Sequence, residues 1–130
     1  DRIWIQPAAG DAGGALGALS RYGVGVWAER AWGDSWPAGT FIVNLVGSFV
    51  LGFVVGVAFA GHMSRPMKLA IGTGFCGALT TFSTFSVETL SLFEAGKSVR
   101  ALGYVTISLL CGLGCAALGM FAAKRYCRLA

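Results

Sequence analysis

Residues 72–86 read Gly72-Thr73-Gly74-Phe75-Cys76-Gly77-Ala78-Leu79-Thr80-Thr81-Phe82-Ser83-Thr84-Phe85-Ser86. The run carries no charge, yet it is poor material for a continuous helix. Three glycines fall within six residues, and five hydroxyl residues fall within seven. Glycine costs about 1 kcal/mol relative to alanine inside a helix, and Ser and Thr are weak formers. The uncharged stretch around the run extends from Leu69 to Val87, nineteen residues. That is about the length that crosses a bilayer, so the pattern predicts a spanning helix broken midway. Unwound backbone at that depth survives only where it is buried in protein or lines a cavity. Freed carbonyls suit small cations, and freed amides and helix N-termini suit anions. Phe82 and Phe85 are three apart and share a face, and the positive edges of their rings can solvate a small anion weakly.

The rest of the chain supports a membrane setting. It has 130 residues and 13.5 kDa, enough for one domain and too little for a multidomain enzyme. Hydrophobic residues make up 55%, charged residues 12%, and mean hydropathy is +0.69. A soluble domain carries about 25% charge, and a disordered one needs low hydrophobicity. No Asp, Glu, Lys or Arg occurs in residues 35–64 or 101–123. Each of these runs is long enough to span. A first span over 3–28 is apolar and glycine-rich, though Pro7, Asp11 and Arg21 interrupt it. A signal peptide would open on basic residues and close on a small-residue cleavage site. Here Asp1-Arg2 opens the chain and Arg21 comes late. The start is not Met, which points to processing or trimming. The expected fold is all-α, one transmembrane domain over 1–130, with four spans at about 3–28, 38–60, 66–93 and 99–123.

Four spans place both termini and the second link on one side, with Arg2, Arg65, Lys68, Lys124, Arg125 and Arg128. The other side holds Arg30, Lys97 and Arg100. The positive-inside rule favours cytoplasmic termini by that difference. Basic residues flanking spans account for the net charge of +4 without a nucleic acid. Trp32 and Trp36 in the first link suit the lipid–water interface. Cys76, Cys111 and Cys115 lie in apolar runs, and the single His62 lies in a link, so the four cysteines read as packing residues and not as a zinc site.

Uncharged polar residues recur at helical spacing. Thr40, Asn44 and Ser48 form an i, i+4, i+8 stripe with Gly47 beside it. Asn44 then serves either as glue between helices or as the lining of an ion path. Tyr104, Ser108 and Gly112 share a face of the fourth span. Gly13, Gly17, Arg21 and Gly25 share one of the first. An intramembrane arginine marks a functional site by default; its structural alternative is a charge paired with Asp11 or with a carbonyl. Glu88, near the end of the third span, reads as interfacial or structural.

The segments Gly14-Ala15-Leu16-Gly17-Ala18-Leu19-Ser20-Arg21-Tyr22, Gly39-Thr40 through Asn44 and Gly47, and Gly77-Ala78-Leu79-Thr80-Thr81-Phe82-Ser83-Thr84-Phe85-Ser86-Val87-Glu88 closely resemble the Fluc (CrcB) fluoride channels. The resemblance covers nearly the whole chain in order. It implies an antiparallel, dual-topology homodimer with two pores that passively exports fluoride across the bacterial inner membrane. It places Phe82, Phe85 and Asn44 on the pore lining, Thr40, Ser83 and Thr84 on a polar track, and Tyr104 and Ser108 on the pore side of the fourth helix. Arg21 matches the arginine of a vestibule, and the carbonyls of Gly77 and Thr80 match a central sodium site at the dimer twofold. Two departures stand out. Gly112 stands where relatives often have Ser, so that hydroxyl is missing or supplied by Ser108, and Ala78 replaces a common Gly. No catalytic residue is expected. The alternative is a small dual-topology, proton-coupled drug exporter, but its central acid is lacking, since Asp11 lies near the start of its span. A purely structural subunit leaves polar stripes in three spans unexplained.

Overall fold

A computed structural model of the chain describes residues 2–129; Asp1, which the signal-peptide argument used, lies outside them. Helix α1 runs Arg2–Trp32 and α2 runs Ala38–Phe59. A third helical stretch comprises α3 (Arg65–Lys68), a π-helical segment (Leu69–Cys76) and α4 (Gly77–Leu79), and it resumes as α5 (Ser83–Glu94). Helix α6 runs Ser98–Leu129. No strand occurs among the described residues. Helices α2 and α6 are each long and apolar enough to cross a membrane. The helix continues through Pro7, which lies within its first two turns, where the lost N–H removes a single bond.

Two links are closed by the same device. Gly61 N–H donates to Ala58 and His62 N–H to Val57; Gly96 N–H donates to Phe93 and Lys97 N–H to Leu92. This Schellman pattern needs a left-handed residue after the helix, and Gly61 and Gly96 have φ of 78° and 76°. In the second link Ser64 then caps α3, its Oγ accepting from Met67 N–H at 3.4 Å.

Packing depends on backbones that approach closely. Helices α2 and α6 make the most extensive contact. A Cβ on Gly52 would press into the Ala116 carbonyl, and one on Gly119 into the Phe49 carbonyl. The glycine face of α1 works likewise: Gly13 seats on Ala70 and Gly17 on Phe75, both in the π segment. These contacts arise because a small residue every fourth position leaves a groove along one helix face.

The buried core is small and mostly aliphatic, with Val43, Val54, Val57 and Leu79, and it also holds the fully buried aromatic ring of Tyr104. Only Ala101, Tyr104, Gly119 and Ala123 are buried along the whole of α6. Leu19, Phe82, Val99, Leu110 and Leu113 stand outward, Phe82 at 80% exposure. A single chain thus presents apolar surface well beyond the patches that a water-soluble monomer tolerates.

Candidate functional site

The helical course stops at Leu79. Thr80 takes an extended conformation (φ −82°, ψ 156°), and helical geometry resumes at Ser83. Asn44, in the second turn of α2, meets this interruption directly. Thr81 N–H donates to Asn44 Oδ1 at 2.8 Å, and Asn44 Nδ2 donates to the Thr81 carbonyl at 3.2 Å. One side-chain amide therefore replaces both helical partners of one residue. Gly47, one turn along, makes room for it: a Cβ there would overlap the Thr80 methyl.

Thr81 organises the next turn. Its Oγ1 accepts from Thr84 N–H at 3.3 Å, donates to Thr84 Oγ1 at 3.2 Å, and lies 3.4 Å from Ser83 Oγ. That is a side-chain cap on the start of α5, the usual remedy for the free amides there. Thr80 Oγ1 turns back to the Cys76 carbonyl at 2.8 Å.

These substitutions release two carbonyls. In a continuous helix Gly77 O would accept from Thr81 N–H, and Thr80 O from Thr84 N–H. Both donors are committed elsewhere, to Asn44 Oδ1 and Thr81 Oγ1. The Ala78 carbonyl between them accepts from Arg21 Nε at 3.2 Å. Of the two structural partners open to Arg21, the carbonyl is the one in place. Asp11, ten residues back on the same helix, stands about 15 Å away along the axis.

Beside the interruption lies a cavity of about 310 Å³ whose wall includes Asn44, Ser48, Thr80, Phe82, Phe85 and Ser108. It thus brings together residues from α2, α5 and α6. Ser108 Oγ is buried, with no hydrogen-bond partner among the described residues, an arrangement that costs free energy unless something accepts or donates there. Gly112 lines the same wall. The rings of Phe82 and Phe85 stand 6.1 Å apart at 42°. Phe85 continues to Tyr104 at 5.0 Å and 53°.

Thr40 belongs to other space. It lines a second cavity of about 310 Å³ with Arg21 and Thr84, and a third of about 470 Å³ with Glu88. Ser83 is exposed and lines none of the three. Glu88, read from sequence as interfacial or structural, is half-buried, and its Oε1 accepts from Tyr104 OH at 3.2 Å. Its signal was its place in the segment, one helical turn past Thr84 on the face that α6 covers. Thr81 has no separate role in the sequence reading; the Thr81-x-x-Thr84 spacing is the trace that such a cap leaves in sequence. All four cysteines are free, and no cluster of three metal-ligating side chains occurs among the described residues.

The family model for CrcB-like proteins (camphor resistance, CrcB) matches residues 9–120, most of the chain. The chain belongs to the CrcB family. Among its relatives, one from Chloroflexus aurantiacus is 42% identical over 102 residues, covering 78% of this chain and 81% of the relative. One from Acidobacterium capsulatum is 47% identical over 115 residues, covering 87% and 91%. One from Ignicoccus hospitalis is 42% identical over 123 residues, covering 95% and 94%. Each is named a fluoride-specific ion channel, FluC. CrcB relatives are thus named as channels, not as enzymes, and the matched span contains Arg21, Asn44, the interruption at 80–82, Glu88 and Tyr104.

Proposed function

We propose that the protein is a passive, fluoride-selective channel. The observation that carries the reading is the cavity beside the interruption. Within the span shared with relatives named as fluoride channels, it gathers amide, hydroxyl and aromatic groups and no fixed charge. A conducting site must offset dehydration without holding the ion. Hydroxyls and ring edges are moderate donors, whereas a lysine at that point would trap an anion.

In this reading the chain has four spans, α1, α2, the interrupted third stretch and α6, with Thr80–Phe82 near mid-membrane. Asn44, Phe82, Phe85 and Ser108 line the path, Tyr104 continues it, and Thr40, Ser83 and Thr84 supply a hydroxyl track. Arg21 stands at a vestibule. In this reading two antiparallel copies form two pores in a bacterial inner membrane, and the apolar surface that one chain leaves uncovered is compatible with a second copy. A structural sodium ion suits the carbonyls of Gly77 and Thr80. They are hard oxygen donors, and the N–H groups that would occupy them are bonded elsewhere. The ion would supply a central positive brace between two copies.

Efflux of fluoride from liposomes bearing the purified protein tests the reading. Fluoride should leave rapidly when potassium is made permeant, and chloride should stay. Absent anion flux, or chloride leaving as fast as fluoride, refutes it. Proton-coupled drug export would instead show as drug uptake that depends on a pH gradient.

A further inference from the structure

We propose that Trp36 is a positioning residue of the ion pathway and acts through Tyr104; the proposal rests on the channel reading above. Tyr104 is fully buried, in one cluster with Leu92 and Ala101, and three further contacts bear on the orientation of its ring. Phe85 meets it at 5.0 Å, and Glu88 holds its hydroxyl at 3.2 Å; both belong to α5. The third is Trp36, edge-on at 5.3 Å and 77°. Trp36 reaches Tyr104 from outside the helices, from the link between α1 and α2.

That link is held in place. Gly33 N–H donates to Glu29 O, and Ala38 N–H donates to Trp36 O, both at 2.8 Å. Phe41 backs the indole at 5.2 Å and 64°. The centroid distances and angles are those that aromatic quadrupoles favour, so the series Phe41–Trp36–Tyr104–Phe85 forms one braced row. Trp36 also lines the 470 Å³ cavity together with Thr40 and Glu88. Removing the indole gives Tyr104 room to swing towards that space. The swing takes the ring from Phe85 and changes the angle at which the hydroxyl meets Glu88.

Direct binding of the ion by the cavity is the competing role for this region, and charge argues against it. Glu29, Asp34 and Glu88 face the cavity against the single cation Lys97. An anion gains nothing by resting there. The contribution of Trp36 is therefore to hold the orientation of Tyr104.

The test is a double-mutant cycle on the full chain in liposomes, read as the fluoride efflux rate. Trp36→Leu should slow efflux about three- to tenfold, the scale of one aromatic pair, and Trp36→Phe should slow it less. In a Tyr104→Leu background, Trp36→Leu should add nothing, because no ring remains to orient. Wild-type rates in Trp36→Leu overturn the proposal, as does an equal slowing with and without the Tyr104 ring. Should Trp36→Leu elute unlike the wild type, Trp36→Phe carries the same cycle, with a small slowing that vanishes in Tyr104→Leu. A wild-type protein that passes no fluoride refutes the channel reading itself, and this proposal with it.

Discussion

A primary amide is the side chain that can stand in for a peptide unit, since it carries both a donor and an acceptor. Asn44 uses this property in full, bonding the N–H and the C=O of Thr81 together. Replacing it with alanine strands two backbone groups in a half-buried site, at about 1 kcal/mol or more each. Asn44→Ala should therefore lower thermal stability in detergent by about 2 kcal/mol. Ser48→Ala, on the same stripe but in no hydrogen bond with the described residues, should fall within about 0.5 kcal/mol of wild type. Equal melting shifts for the two variants would show that the amide does not brace the interruption. Helical spacing put Asn44 on a polar face but left its role as glue or as lining open, because the choice depends on what faces it across 37 residues of chain. In the structure it is bonded to Thr81 and also forms part of the cavity wall. Arg21 was similarly undecided between Asp11 and a carbonyl; helix rise alone disfavours Asp11, but only the docking of α1 on α4 supplies Ala78.

At the scale of elements, the third stretch departs most from regular geometry. Glycines and hydroxyls made it weak as a helix, and that weakness was legible in residues 72–86. The π-helical form of Leu69–Cys76 was not. The segment seats against Gly13 and Gly17 of α1, a tertiary contact that local propensity does not carry. The α2–α6 seam was partly legible, since Gly52 and Gly56 are four apart; its partner Gly119 emerges only when the two helices are brought together. Here the neighbour of each glycine is a backbone carbonyl or a methyl on a rigid helix, which has little room to give. Gly52→Leu and Gly119→Val should each destabilise the protein by about 1–3 kcal/mol through overpacking, read as a lower melting temperature by size-exclusion retention. Gly114→Ala, whose added methyl meets open space, should melt as the wild type does. Melting of Gly119→Val at the wild-type temperature would mean that the seam is looser than described.

For the whole molecule, on the four-span reading, the six-to-three distribution of basic residues between the two sides favours one insertion, whereas an antiparallel pair needs both. Protomers carrying single introduced cysteines, in a background without Cys76, Cys111, Cys115 and Cys127, separate the cases. An antiparallel pair cross-links residues near Gly77 to the same residue of its copy and leaves the termini of the two copies on opposite faces. Cross-linking of terminus to terminus would instead indicate a parallel pair and remove the sodium site from the twofold. The seam between α2 and α6 also bears on how the protein is made. Its two halves are separated by the whole third stretch, so α6 leaves the ribosome well after α2. Residues 38–59 must therefore wait, with the Gly52 groove open, until α6 has been made. A truncation of α6 before Ala116 leaves that groove unfilled, so quality-control proteases should meet such shortened chains as unfinished membrane proteins, however intact their pathway residues are.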